Sequence, residues 1–198
     1  KILAVYNRII SLPGKHVIYC QFKENFGAYL ISSCLSFHGI PHLLYSGDLN
    51  EQIRDRYLQL FNHKDNLDGK KHKVLILTDA GVEGLSVMGA EYMHIMSPHK
   101  IQNRINQVIG RIRRLNSHND LPKDRRSVQI FRYLSVFCKD EFETGDHLFT
   151  SKPNLGDYSI DQVVCNAGLA REIYINSVLR IMQEARIERQ DHKHATVS

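Results

Sequence analysis

Short apolar runs of strand length along this chain alternate with apolar stripes of period 3.6, which predicts strands alternating with helices. After the turn signal Pro13-Gly14, His16–Phe22 is a β-rich run that reads as a buried strand. Glu24–His38 places Phe26, Leu30, Cys34 and Phe37/His38 at helical spacing, and Gly39-Ile40-Pro41 ends it. His42–Tyr45 predicts a second strand, closed by Ser46-Gly47-Asp48. From Asn50, the residues Ile53, Tyr57, Leu60 and Phe61 repeat as one face of an amphipathic helix that runs to Asn62. The polar run His63–Lys73 predicts a surface loop. Val74–Leu77 is apolar and of strand length, and Gly81, Gly84 and Gly89 forbid a long helix directly after it. Tyr92–Met96 predicts another strand, stopped by Ser97-Pro98. Ile101, Ile105, Val108 and Ile109 mark the next helix, and Ser127–Phe137 a final strand.

Beyond that point the composition changes. Cys138–Asp157 is a polar stretch with Gly145, Pro153 and Gly156. Ser159-Ile160-Asp161-Gln162 has the form of a capping box, and Val163, Ala167, Ala170, Tyr174, Val178, Ile181 and Ala185 then make a helical stripe that must pack on something. The tail from Glu188 is expected to fray. The expected organisation is an α/β lobe over 1–137, a polar loop over 138–158, a helical extension over 159–190 and a flexible tail over 191–198. Strands alternating with helices build a parallel sheet flanked by helices.

Composition narrows the class. The 198 residues are 42% hydrophobic and 24% charged, which excludes a disordered or collagen-like chain. No apolar run approaches the roughly 20 residues of a membrane helix, so no membrane partner is expected. Four scattered cysteines make no disulfide scaffold and fit a reducing compartment. A first residue Lys1 rather than methionine suggests an excised fragment. The net charge of +5 favours a polyanionic partner, and it is concentrated. Between His99 and Tyr133 nine basic residues face two acidic ones.

Three segments at predicted strand ends or on the helices after them carry candidate chemistry. The strongest is Gln107-Val108-Ile109-Gly110-Arg111-Ile112-Arg113-Arg114, of the form Q-x-x-G-R-x-x-R. On a continuous helix Arg104, Gln107, Arg111 and Arg114 share one face, so three guanidiniums would project together. Planar, permanently charged guanidiniums suit the equatorial oxygens of a transferring phosphoryl group. Gly110 costs a helix about 1 kcal/mol against alanine, so something other than helix stability explains it. A solvated basic face or a structural ion-pair cluster is the alternative, and Gln107 with Gly110 at this spacing argues against it. The second segment is Thr78-Asp79-Ala80-Gly81-Val82-Glu83-Gly84-Leu85-Ser86, whose small residues let a phosphate approach the backbone. The third is Ser46-Gly47-Asp48 with Arg54 and Phe61 downstream.

Taken in order, these segments resemble the carboxy-terminal RecA-like lobe of superfamily 2 helicases and translocases over about residues 14–137. Val17–Phe22 resembles the motif IV strand, Ser46–Phe61 the segment after it, Thr78–Ser86 motif V and Gln107–Arg114 motif VI. Val108–His118, followed by Arg125-Arg126, is similar to the viral transcription ATPases of poxviruses and other large cytoplasmic DNA viruses, of the nucleoside triphosphate phosphohydrolase I and early transcription factor type. Leu115-Asn116-Ser117-His118 is the discriminating piece, because Snf2-type translocases usually place Gly-Gln after the last arginine. Asp161–Glu188 resembles the helical tail of those viral proteins.

The resemblance implies a split ATP site. Arg111 and Arg114 would be arginine fingers reaching the γ-phosphate of ATP with Mg2+ held by a first lobe, and Gln107 would sit beside that phosphate and the attacking water. Gly110 would stand on the nucleotide side, and Glu83-Gly84 would link the nucleotide to the nucleic acid. Gln21, Ser46, Gly47, Arg54, Thr78 and Asp79 would hold one nucleic-acid strand, DNA in preference to RNA. Ser86 departs from the aspartate common in the family, and Arg113 is an additional guanidinium. Implied partners are an amino-terminal RecA-like lobe and viral RNA polymerase or other transcription factors, in the host cytoplasm and the virion. No G-x-x-x-x-G-K-[ST] loop and no D-E-x-H run occurs in the sequence, so the chain alone is expected neither to bind ATP tightly nor to hydrolyse it. The eleven histidines are scattered, with no metal-ligand spacing. Two other functions compete with a viral motor lobe: a helicase-shaped module that recruits transcription factors without motor activity, and a Snf2-type or restriction-type translocase lobe.

Overall fold

A computed structural model describes residues 1–24, 27–81, 84–136 and 158–194. Five strands, β1 Lys15–Cys20, β2 His42–Tyr45, β3 Val74–Thr78, β4 Ala90–Ile95 and β5 Gln129–Arg132, form one sheet in the order β2-β3-β1-β4-β5. Every pairing is parallel. Four helices flank the sheet: α1 Ile2–Ser11, α2 Ala28–Phe37, α3 Glu51–Asn62 and α4 Gln102–Ile112. A long helix, α5 Ile160–His194, follows. This is the expected RecA-like sheet with a carboxy-terminal helical extension.

Burial explains why the sheet is parallel and central. β1 and β3 are buried at every residue, so both of their faces are covered, as parallel sheets require. Successive side chains point to opposite faces. Val17, Tyr19, Leu75, Leu77, Met93 and Ile95 pack with Phe61 of α3 and Ile105, Val108 and Ile112 of α4. Ile18, Cys20, Val74 and Ile76 pack with Val5 and Ile9 of α1 and Ile31 and Leu35 of α2. Each fully buried aliphatic side chain contributes about 1.5–3 kcal/mol to folding.

Helix α1 is not among the elements predicted above. Its apolar positions Ile2, Val5 and Ile9 occupy barely one face of three turns, and it becomes stable by capping the second core cluster. β5 is shorter than the predicted Ser127–Phe137. It lies at the sheet edge with mostly exposed side chains, and pairing ends when the Tyr133 N–H donates to the Ile95 carbonyl at 3.0 Å. Helix α2 starts at Ala28 rather than Glu24, and Phe26 lies outside the described residues.

The predicted capping box of α5 is formed. The Ser159 N–H donates to Gln162 Oε1 at 2.8 Å, and the Gln162 N–H donates to Ser159 Oγ at 3.2 Å. The packing expected of its stripe is not found among the described residues, because Tyr174 and Ile181 are 70% and 65% exposed. Among the described residues only the start of the helix docks on the lobe, where Gly168 sits so close to the His99 carbonyl that a Cβ would lie 2.9 Å from it. The helix also runs past the expected fray point at Glu188, since neither glycine nor proline occurs between Leu169 and His194. The polar loop expected over 138–158 lies outside the described residues except for Tyr158, and so do the last four residues of the tail.

Candidate functional site

Helix α4 buries Ile105, Val108 and Ile112 in the same cluster as Leu85 and Val87. Its opposite side therefore faces outward, with Gln107 and Gly110 exposed and Arg111 half-buried. A Cβ built on Gly110 meets nothing within 4 Å. The glycine is thus not demanded by packing within this lobe. The helix ends at Ile112, and Arg113 leaves helical geometry with φ −94° and ψ 58°. Arg114 is exposed just beyond the last turn. Among the described residues no carboxylate pairs with Arg111 or Arg114.

One expectation is corrected here. Arg104 does not project with the other two arginines. Its Nε donates to Asp79 Oδ1 at 3.0 Å and its Nη2 to the Asp79 carbonyl at 3.4 Å, while the Tyr19 hydroxyl donates to the same Asp79 Oδ1 at 2.7 Å. Burial pushes the Asp79 carboxyl up, but Arg104 and Tyr19 together outweigh it and hold it below the usual carboxylate range. Burial, aided by that carboxylate, pushes the Tyr19 hydroxyl far above its ordinary value. Asp79, expected to contact nucleic acid, takes part in a clamp that fastens the residue after β3 to the first turns of α4. The clamp joins residues 19, 79 and 104 from three elements, and no local pattern in the sequence announces it.

The remaining candidates line up along the carboxyl edge of the sheet. Tyr45 pairs with Leu77 and Cys20 pairs with Thr78, so Ser46, Thr78 and Gln21 follow one another at nearly one level across β2, β3 and β1. Neighbouring strands are about 4.8 Å apart, so the row covers roughly 10 Å, on the scale of one or two nucleotides of an extended strand. Ser46 and Thr78 are each only 4% exposed, whereas Gln21 and Gly47 are half-open. The accessible part of the row is thus Gln21 and the turn at Gly47 rather than the two hydroxyls. Arg54, in α3, carries a buried Nε with no hydrogen-bond partner among the described residues. Gly84 is exposed with φ +76°, a left-handed conformation that costs any other residue energy. Glu83 lies outside the described residues.

Two fastenings escape sequence reasoning. Asn62, at the end of α3, donates to the Ser86 carbonyl at 2.8 Å and accepts from the Met88 N–H at 2.8 Å, holding the return of the Gly81–Gly89 segment. Ser117 is 3% exposed, and its hydroxyl bonds the carbonyls that end α4. The sequence marked Leu115–His118 as unusual without revealing what it holds. Among the described residues no group of three or more His, Cys, Asp or Glu side chains could bind a metal ion.

Comparison with known proteins gives these features a context. The family described as helicase conserved C-terminal domain matches residues 1–116. An Acanthamoeba polyphaga mimivirus protein that carries the name of an ATP-dependent RNA helicase is 31% identical over 198 residues, covering 95% of this chain and 23% of its own length. The termination factor NPH-I homolog of African swine fever virus is 31% identical over 183 residues, covering 91% of this chain and 24% of its own. Nucleoside triphosphatase I of Melanoplus sanguinipes entomopoxvirus is 34% identical over 122 residues, covering 62% of this chain and 19% of its own. The chain thus spans about a quarter of the length of the curated relatives it matches. Among solved structures, the C-terminal part of the Fun30 ATPase domain superposes with a TM-score of 0.56 at 15% identity, covering 84% of this chain and 51% of that one, which speaks to the fold alone.

Proposed function

The chain belongs to the helicase conserved C-terminal domain family, and we propose that it is the second motor lobe of a viral ATP-dependent helicase or translocase. In this reading the polypeptide also contains a first RecA-like lobe that holds ATP with Mg2+. Arg111 and Arg114 face that lobe and place their guanidiniums against the γ-phosphate, where charge accumulates on the equatorial oxygens. Gln107 sits beside them and orients the attacking water. Open space over Gly110 leaves room for the nucleotide or the first lobe to come close to α4.

The residues present fit the phosphate side of such a site and not its magnesium side. Among the described residues two guanidiniums lack carboxylate partners, and no group of three or more His, Cys, Asp or Glu side chains could hold a metal ion. In this reading the metal ligands belong to the first lobe, and this chain alone is expected to turn over no ATP. Gln21, Ser46-Gly47, Arg54 and Thr78 track the backbone of one nucleic-acid strand along the carboxyl edge of the sheet, with Gln21 and the turn at Gly47 its accessible part. We favour DNA, in viral transcription in the host cytoplasm and the virion, with viral RNA polymerase or its factors as partners. The relatives' names include both RNA helicases and a termination factor. Residues 1–137 would be the motor lobe, 138–158 a connection and the helix from 159 onward an extension.

The observation that carries this reading is that Arg111 and Arg114 face outward with no carboxylate partner among the described residues, where Arg104 and Arg125 are both tied to carboxylates. The test is nucleic-acid-stimulated ATP hydrolysis by a polypeptide carrying both lobes. Arg111→Ala and Arg114→Ala should each lower kcat by about 10³. Rates within about twofold of the parent would end the motor reading.

A further inference from the structure

We propose that Ser117 and His118 are positioning residues that aim Arg114. This rests on the reading of Arg114 as an arginine finger, and it concerns how a finger outside any helix keeps its direction. Because α4 closes at Ile112, Arg114 has no i→i−4 ladder of its own to hold it. Fixing a free backbone residue costs about 1–2 kcal/mol, so an untethered overhang would sample many orientations.

The overhang is tethered. The Ser117 N–H donates to the Arg114 carbonyl at 3.1 Å, and the Ser117 hydroxyl reaches the same carbonyl at 2.7 Å and that of Ile112 at 3.2 Å. Asn116, with φ +66°, supplies the left-handed step that turns the chain back for these bonds. From there the path runs into the sheet. His118 Nδ1 lies 2.7 Å from Ser117 Oγ, and its Nε2 donates to the Ala90 carbonyl at 2.7 Å. The Gly89 N–H donates to the Ser117 carbonyl at 2.7 Å. Gly89 and Ala90 stand at the start of β4, which pairs on both sides in the sheet.

The backbone of Arg114 is therefore linked through a buried serine and a histidine to a central strand, while its side chain is exposed with no carboxylate partner among the described residues. Arg113, Leu115 and Asn116 beside it are exposed too, with Leu115 at 93%. This is the arrangement of a rigid mount for one outward group. The Ser117 hydroxyl has a single proton and three acceptors in reach, so its removal loosens the turn and the link to His118 together.

The experiment uses the polypeptide with both lobes and measures ATP hydrolysis at saturating nucleic acid. Ser117→Ala and His118→Ala should each lower kcat about 10–100-fold with KM for ATP within about twofold, as expected when a catalytic group is misplaced by about 1 Å. In an Arg114→Ala background the same changes should alter kcat by less than about twofold, because a mount without its finger has nothing to aim. His118→Gln keeps a donor for the Ala90 carbonyl and should recover at least about tenfold over His118→Ala. It carries the comparison if Ser117→Ala does not fold. Near-parental rates for Ser117→Ala and His118→Ala, alongside a large loss for Arg114→Ala, would overturn the mount while leaving the finger in place. Equal losses with and without Arg114 would make Ser117 and His118 merely structural. A silent Arg114→Ala would instead remove the finger and the mount with it.

Discussion

Acidification should destabilise this lobe well before its carboxylates titrate, because two histidines are sealed in the core. His16 and His94 are both 0% exposed on the α1 side of the sheet, and His94 stacks between His16 and Phe131. One neutral tautomer pair satisfies them. His16 Nε2 donates to the Leu12 carbonyl at 3.3 Å, His94 Nε2 donates to His16 Nδ1 at 3.0 Å, and the Tyr133 hydroxyl donates to His94 Nδ1 at 2.8 Å. A further proton would bring a charge into this core, where burial and the neighbouring Lys73 and Arg8 charges oppose it. Burial lowers His16 from 6.5 to about 4, against a raising bond from Leu12, and lowers His94 from 6.5 to about 3, with His16 and the Arg8 charge adding to the effect. Both folded pKa values lie below the unfolded one, so the unfolded chain binds more protons as pH falls and stability drops from about 6.5 down to about 3–4. At pH 5 the unfolded chain gains about 2 kcal/mol per histidine, about 4 kcal/mol together, out of a total that is typically 5–15. Half-buried His72 is lowered as well, but solvent screening leaves it a small contributor. Asp79 and Asp161 titrate below the usual carboxylate range and act only at lower pH. Urea unfolding of the chain at pH 7.5 and 5.0 measures the loss. His94→Leu should be less stable at pH 7.5, because it orphans Tyr133 and His16, yet should lose only about half as much on acidification. A loss below about 1 kcal/mol for the parent chain, or an undiminished loss in His94→Leu, would refute the neutral-pair account.

Three further outcomes are expected. Gly110→Ala should raise the stability of the isolated lobe by about 1 kcal/mol in thermal unfolding, since its Cβ meets nothing, while lowering ATP hydrolysis in the two-lobe polypeptide; a variant gaining both would leave the glycine without a functional reason. Lys15→Met should be neutral or stabilising by about 1–3 kcal/mol, because burial lowers the ammonium to about 8 and Phe61's carbonyl, its hydrogen-bond partner, keeps the Asn66 amide; stability of the parent should correspondingly rise between pH 8 and 10.5, as the unfolded lysine still holds its proton there. Affinity for single-stranded DNA, read by anisotropy, should fall at least about sevenfold between 50 and 200 mM salt if two or more phosphates are contacted, and indifference to salt would count against the proposed track.

Much of the architecture was legible because it is local. The predicted runs His16–Phe22, His42–Tyr45, Val74–Leu77 and Tyr92–Met96 overlap strands to within about two residues at each end, and the stripes of Ile53–Phe61 and Ile101–Ile109 mark helices. A buried strand and an amphipathic helix advertise themselves through side-chain period alone. Helix α1 did not, since so short a stripe acquires its stability from the sheet it covers. The stripe of α5 predicted a packed face that the described lobe does not supply.

The candidate site divides along the same line. Gln107, Gly110, Arg111 and Arg114 were readable as a spacing, and their residue types alone suggest phosphate chemistry. Which arginines are free was not readable. Arg104 turns back because Asp79 and Tyr19 meet it from β3 and β1, and Arg114 stands clear because Ser117 and His118 stop the helix against β4. Sequence determined the elements and the chemical vocabulary, since both depend on neighbours a few residues apart. Tertiary structure decided which charges are paired and which face outward, because an ion pair depends on distance in space, and those distances exist only once the strands lie side by side.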